Sequence, residues 1–224
     1  MQNGLQERTF ETTYKANTGN GIYKFVKRAF DFIVALVAIV AISPLLLIIS
    51  ATVYMGDPGP VIYGQLRIGK NGKAFKMWKF RSMYKNADKM IDQLTDEQRQ
   101  QYITEFKIDN DPRITPVGNF LRKTSLDELP QLFNVLCNDM SLVGPRPLIE
   151  SEIQTYYADM FDTLLSVKPG VTGYWQAYAR NNATYQSGQR QQMEMYYVNH
   201  ASIMLDIKIL FRTVVSVLRK DGAK

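Results

Sequence analysis

Between Phe32 and Met55 the chain runs for 24 residues without a charged side chain. As a straight helix that run is about 36 Å long at ~1.5 Å per residue, against about 30 Å for the hydrocarbon core of a bilayer. A buried core helix fits this length poorly. So does a cleavable signal peptide, because the run begins roughly thirty residues in and no Ala-x-Ala-like site follows it. Ser43-Pro44 lies at its midpoint. Proline removes one helical hydrogen bond and clashes with the carbonyl four residues back, so the helix kinks or breaks there, and the serine hydroxyl can bond a freed carbonyl. Lys15, Lys24, Lys27 and Arg28 precede the run and a basic stretch follows it. Positive flanks prefer the cytoplasmic side. A single span sends one flank outward, whereas a helix that enters, bends at Ser43 and Pro44 and returns keeps both inside. Charge counting therefore favours a re-entrant, monotopic helix–break–helix anchor over a single span.

The 224 residues carry 27 Lys and Arg against 21 Asp and Glu, a net charge of +6. That excess is local. Arg67, Lys70, Lys73, Lys76, Lys79, Arg81 and Lys85 have no acid among them, and without these seven the balance is 20 to 21. The expectation is one stretch facing one anionic partner. Nucleic acid is not expected as that partner, since the apolar run argues against it. Cys137 and His200 are each the sole residue of their kind. An internal disulfide, a cysteine metal cluster and a histidine-rich zinc site are thereby excluded. If the chain is an enzyme, its acid, base or nucleophile is expected to be a carboxylate.

The pattern predicts an α/β fold, mostly helical, in three parts: a polar flexible tail over 1–21, the anchor over 22–56, and a compact cytosolic domain over 57–222. Val61 to Gln65 and Lys73 to Phe80 bracket Asn71-Gly72, which reads as a β-hairpin. Asn86 to Phe106 is helical in two pieces, with Thr95 and Gln98 as a capping box. Further helices are expected over 117–123, 126–137, 149–165, 189–199 and 202–218. Asp139 to Pro147 is expected to be a loop, and Lys168 to Gly173 a turn. The last helix, with one apolar stripe, either covers the core or lies on a membrane surface.

Four segments could carry chemistry. In Ser125-Leu126-Asp127-Glu128, Ser125 and Glu128 make a capping box, which is a purely structural reading. The same geometry puts two adjacent carboxylates at a positive helix end, where they should stay ionised and suit a nucleophile beside a metal ligand. Gly144-Pro145-Arg146-Pro147 is a rigid surface turn or a stiff mount for a phosphate fork. The basic hairpin fits anionic lipid or a diphosphate. Pro169 to Gln176, with Arg180, offers glycines for close backbone approach and Tyr174 or Trp175 for stacking, interface anchoring or core packing. No Walker loop or dinucleotide fingerprint is present.

Taken in order, Lys27 to Phe32, Ser43-Pro44, Lys79 to Met83, Asp111 to Thr115, Ser125 to Val135, Asp139 to Pro147, Pro169 to Gly173 and Leu205 to Ile209 resemble the bacterial sugar transferase family, the small monotopic phosphoglycosyl transferases. The resemblance covers about residues 22 to 222. It implies transfer of a sugar-1-phosphate from a nucleotide sugar, a UDP-sugar, to polyprenyl (undecaprenyl) phosphate, with magnesium as cofactor. By resemblance, Asp127 is the nucleophile of a ping-pong reaction and Glu128 the magnesium ligand. Pro145, Arg146 and Pro147 bind nucleotide and phosphate, and Lys79, Arg81 and Arg122 face phosphates. Asp206 matches a recurrent aspartate given a substrate-binding role. The implied partners are the nucleotide sugar, the polyprenyl phosphate, membrane lipids and a second copy in a homodimer. The implied location is the cytoplasmic face of the bacterial inner membrane.

Overall fold

The apolar run and its flanks form one helix. The computed structural model describes residues 21–105, 108, 110–179, 183 and 185–218, and in it helix α1 extends from Gly21 to Gly56. The expected tail lies outside the described residues except for Gly21. The expected break at Ser43 and Pro44 is not found, because Pro44 sits within a continuous helix. The reason is local. Proline leaves the Val40 carbonyl without its amide partner, and the Ser43 hydroxyl donates to that carbonyl at 2.8 Å. Ser50 and Thr52 return their hydroxyls to the Leu46 and Ile48 carbonyls in the same way.

One stripe of α1 faces inward. Asp31, Ala35, Ile49 and Val53 are buried, and Val34, Ala38, Ile39, Ile42 and Leu46 pack between them. Steps of three and four residues define a single helix face, so α1 is docked lengthwise on the rest of the chain. Its other face leaves Phe25, Ile33, Val37, Val40, Leu47, Ile48 and Met55 exposed. The helix is long and apolar enough to cross a membrane, and its most apolar window is only 11% buried.

After the turn at Asp57, strand β1 (Ile62–Ile68) pairs antiparallel with β2 (Ala74–Phe80), Arg67 opposite Phe75 and Tyr63 opposite Lys79. The first strand is longer than predicted. Asn71 and Gly72 both take the left-handed conformation (φ 57° and 74°) that a tight hairpin turn needs. Phe75 and Met77 enter the main core, while Ala74 and Lys76 are exposed.

The expectation that seven basic residues share one anionic partner is corrected by this pairing. Strand alternation and the strand's end turn three of them toward the protein, where buried cations need carboxylates. Arg67 meets Glu152 at 3.1 Å, Lys79 meets Glu128 at 2.7 Å, and Arg81 meets Asp57 at 3.2 Å.

The Thr95–Gln98 capping box forms with both of its hydrogen bonds, at 3.1 and 3.2 Å, ahead of α2 (Asp96–Glu105). Helix α3 (Pro116–Thr124) follows. The helix expected over 126–137 is a 3-10 turn at Leu126–Glu128 and a short α4 (Gln131–Leu136). The predicted Ser125 cap is also corrected. Ser125 is left-handed (φ 57°) and closes α3 with its backbone, and its side chain caps nothing in the turn that follows.

The predicted loop and turn at 139–147 and 168–173 contain strands β3 (Ser141–Val143) and β4 (Gly170–Thr172), which pair in parallel. The expected helix over 149–165 divides into α5 (Glu150–Tyr156) and α6 (Phe161–Leu164). Helices α7 (Tyr174–Tyr178), α8 (Gln189–His200) and α9 (Ile203–Leu218) complete the domain. The main core joins α1, β2, α4, β3, α7, α8 and α9 through Ala35, Met77, Val135, Val143, Ala177, Tyr197 and Ile209.

The two short strands touch backbone to backbone. Gly144 N donates to the Thr172 carbonyl at 2.9 Å and Gly170 N to the Pro145 carbonyl at 2.8 Å. A Cβ on Gly170 would fall inside the Gly144 backbone, whereas one on Gly64 meets only the Lys76 side chain and the Trp78 ring at ordinary contact distance. Gly170→Ala is therefore expected to cost about 1–3 kcal/mol and to lower the thermal midpoint in detergent, with Gly64→Ala close to wild type.

Candidate active site

The adjacent carboxylates are set by the seating of α3. Thr115 caps the helix by accepting from Gly118 N at 2.8 Å, and Pro116 is pre-shaped for its first turn. Gly118 lies so close to Ser82 that any Cβ would overlap the Ser82 carbonyl. This approach lets Arg122 Nε donate to Ser82 Oγ at 2.8 Å. The left-handed Ser125 then reverses the chain. Leu126 and Leu129 drop into a cluster with Ile49, Val53, Phe80 and Leu121, under the C-terminal half of α1. Asp127 and Glu128 are held between these two anchors.

Asp127 is 8% exposed, and Lys79 Nζ reaches Glu128 Oε1 at 2.7 Å from the end of β2. Burial pushes the Asp127 carboxyl up to about 6. Lys79 pulls it down, Glu128 pushes it up and Arg122 pulls it down. The expectation that a helix end keeps it ionised is thus corrected, since a three-residue turn replaces the helix. The two cations do that work against the cost of burial. Beside Arg122, Asp111 and Arg113 form a buried pair with contacts of 2.9 and 2.7 Å. Lys79, Arg122, Asp127 and Glu128 are therefore brought together.

Arg146 belongs to a second charge group. Its loop is gripped at three points. Gly170 N donates to the Pro145 carbonyl, Arg67 Nη1 donates to the Pro147 carbonyl at 3.3 Å, and Arg146 N donates to Glu194 Oε1 at 3.3 Å. Pro145 and Pro147 are buried and Arg146 is half-buried. Next to Glu194 on α8, the Arg190 guanidinium lies between Trp175 (3.8 Å) and Tyr185 (4.0 Å). Trp175 is thereby occupied by an arginine, and its Nε1 donates to the Ala183 carbonyl. Tyr174 stacks on Tyr178. Arg180 lies outside the described residues.

Arg81 is tied to Asp57 at the end of α1, with its Nη2 also donating to the Asp57 carbonyl. Asp206 is 2% exposed and lies in a polar knot. Lys27 Nζ is 2.9 Å away, Tyr197 Oη donates at 2.7 Å and Tyr23 Oη at 3.3 Å. Lys27 also reaches Asp31 at 3.7 Å, and Ser141 Oγ donates to Asp31 at 2.6 Å. The knot joins α1, β3, α8 and α9, and Asp206 is not part of the Asp127 group.

Among the described residues no three His, Cys, Asp or Glu side chains converge as a metal cage. The donor set at the turn is a pair of carboxylates. That suits a hard divalent cation that keeps its waters and takes further oxygens from a phosphate substrate. Motif reading missed Arg190 and Glu194, and it did not give the partners of Ser82 and Arg67, whose places depend on pairing between distant segments.

Glu194 gives a pH test. Burial pushes its carboxyl up to about 7 from an ordinary 4.5, with Arg190 opposing. The stability it contributes is full below 4.5, where it is neutral in both states, and is lost as pH rises through 7. Glu194→Gln should remove that loss, so the thermal midpoints of wild type and variant should diverge in the variant's favour across this window.

Comparison with known proteins points to the same family over residues 22–220. The family description "Bacterial sugar transferase" matches residues 22–220. The chain is 46% identical over 203 residues to an undecaprenyl-phosphate galactose phosphotransferase of Salmonella typhimurium, covering 89% of this chain and 42% of that protein. It is 41% identical to the UDP-glucose:undecaprenyl-phosphate glucose-1-phosphate transferase of Escherichia coli, over 87% of this chain and 40% of that protein. Against the exopolysaccharide production protein ExoY of Sinorhizobium fredii the identity is 40%, over 88% of this chain and 87% of that protein. The chain thus spans less than half the length of the first two relatives and most of the third. With the carboxylate turn, the Pro-Arg-Pro loop and the apolar helix all inside the matched stretch, the chain belongs to the bacterial sugar transferase family.

Proposed function

We propose that this chain transfers a sugar-1-phosphate from a UDP-sugar to polyprenyl phosphate, giving a polyprenyl-diphosphate sugar and UMP. The observation that carries this reading is the buried Asp127 beside Glu128, with Lys79 and Arg122 closing on the pair. Asp127 attacks the sugar-proximal phosphorus of the donor. The bond from that phosphorus to the bridging oxygen breaks, UMP leaves with the bridging oxygen, and the sugar phosphate stays on the carboxylate. The lipid phosphate oxygen then attacks the same phosphorus and the Asp127 carboxylate departs unchanged. Lys79 and Arg122 lower the repulsion between the carboxylate and the anionic donor. Glu128, with the donor's phosphates, would hold magnesium, which when bound supplies Lewis-acid stabilisation of the phosphate charge. Arg146, held from behind by Glu194 and the two prolines, forks the phosphate or nucleotide end.

We also infer that 22–56 anchors the chain at the cytoplasmic face of the inner membrane as one continuous helix lying along its domain, and that the following residues, to about 222, form the catalytic domain. Both ends of α1 hold the same domain. Arg28 bonds the Val135 and Leu136 carbonyls at one end, and Asp57 holds Arg81 just beyond the other. A helix that leaves its partner domain on the far side of a bilayer could not keep both attachments.

Incubation with UDP-galactose, UDP-glucose and UDP-N-acetylgalactosamine in turn, without acceptor, should release at most one UMP per protein and leave Asp127 phosphorylated by the sugar phosphate. Asp127→Asn should abolish release, and Lys79→Ala should lower kcat about 10²-fold. A strict need for both substrates before any UMP forms would overturn the scheme. Tag-accessibility mapping should find both ends of α1 on the cytoplasmic side.

A further inference from the structure

The cations that the carboxylate turn does not use gather at the opposite end of α1. Arg28 donates to the last two carbonyls of α4, at 2.7 and 3.0 Å. Just past α4, the left-handed Asn138 accepts a hydrogen bond from Lys168 Nζ. Three residues before Lys168, the Leu165 carbonyl accepts from Asn71 N at 2.7 Å, next to Lys70 in the hairpin turn. Lys24 lies one turn before Arg28 and is exposed. This chain of contacts brings four cations from three distant segments to one place.

They also feel one another. Burial, then Arg28 and Lys70, push Lys168 down to about 8, and burial, then Lys24, lowers Lys70. The acids that act on Lys168 are Asp31 and Asp139. Asp31 is already engaged by Lys27, Ser141 and the Leu142 amide, so the excess positive charge persists.

Beside this patch the apolar face of α1 is bare: Ile22 is 72% exposed and Phe25 76%. Cations bordering exposed aliphatic and aromatic side chains match a lipid that has a negative headgroup on a hydrocarbon tail. A soluble anion would use the charge and leave the apolar border without a partner. From Arg28 to Ile49, above the catalytic turn, the helix rises about 30 Å, so the patch is separate from the Asp127 group.

We propose that Lys24, Arg28, Lys70 and Lys168 form a binding site for the headgroup of an anionic glycerophospholipid at the N-terminal end of α1. This rests on the reading of α1 as a membrane anchor. It adds that one end of the anchor selects lipid charge while the other end carries the chemistry.

The test uses the full chain in neutral detergent, titrated with short-chain phosphatidylglycerol, phosphatidylcholine or inorganic phosphate, with bound lipid counted by native mass spectrometry. Wild type should retain phosphatidylglycerol over phosphatidylcholine. Lys24→Gln/Lys70→Gln/Lys168→Gln should weaken that retention at least about 10-fold. The matching Lys→Arg triple should keep it, and so should Lys76→Gln/Lys85→Gln/Lys89→Gln, which removes the same charge elsewhere. Arg28 is left intact because it also caps α4. Equal retention of the two lipids, equal loss in both Gln triples, or full displacement by inorganic phosphate would overturn the proposal. Displacement by polyprenyl phosphate at far lower concentration would make the patch an acceptor site and overturn it too. Membrane partition and UMP release are measured on the same proteins. Failure of those in wild type refutes the anchor and transferase readings, whereas their persistence without headgroup selectivity refutes this inference alone.

Discussion

A helix with apolar side chains all round has to satisfy two surroundings at once, and α1 divides them by face. Its inner stripe completes both the main core and the smaller cluster under Leu126 and Leu129. Its outer face keeps large apolar side chains bare. Burial of the inner stripe, at about 25 cal/mol per Å² of apolar surface, is gained only if the helix lies along the domain. The position of the carboxylate turn therefore depends on α1, because Ile49 and Val53 form part of the seat beneath it.

The charges are arranged with the same economy of contact. Arg67, Lys79 and Arg81 each meet an acid from a different part of the chain, and each pairing fixes a different joint: β1 to α5, β2 to the carboxylate turn, and the end of β2 to the end of α1. A buried carboxylate at Asp127 is costly alone, and the cations that make it tolerable are also those suited to an incoming diphosphate. The Arg146 loop is stiffened by backbone bonds and by a buried acid, so its guanidinium can be presented without first being ordered.

Local patterns were legible where one segment carries its own information. The Asn-Gly turn, the Thr95–Gln98 box and the last two helices follow from spacing alone. The apolar run and Ser43-Pro44 predicted a helix with a hydroxyl bonded to a freed carbonyl, and that bond is present while the break is not. A proline's effect depends on whether the orphaned carbonyl finds another donor, and Ser43 supplied one next door. Strands β3 and β4 were illegible because three residues are too few to alternate, and their pairing comes from glycine contacts between distant loops. The candidate pair Asp127–Glu128 was visible as a motif. Lys79 and Arg122 were expected to face phosphates by resemblance, but their convergence with Ser82 around the pair was not legible, because it forms only once α3 is pressed on the end of β2.

The knot at Asp206 bears on where the folding unit begins. Lys27 and Tyr23 come from the start of α1, and they supply the cation and one hydroxyl that a buried aspartate requires. Asp31 repays Ser141 in β3 from the same helix. A truncation that removes α1 to make a soluble enzyme would leave Asp206 buried beside Tyr197 with its countercharge gone, a far costlier change than the loss of a tether. Helix α1 is in this sense an internal element of the domain it lies on, and evolution or engineering can exchange it only together with the residues that grip it.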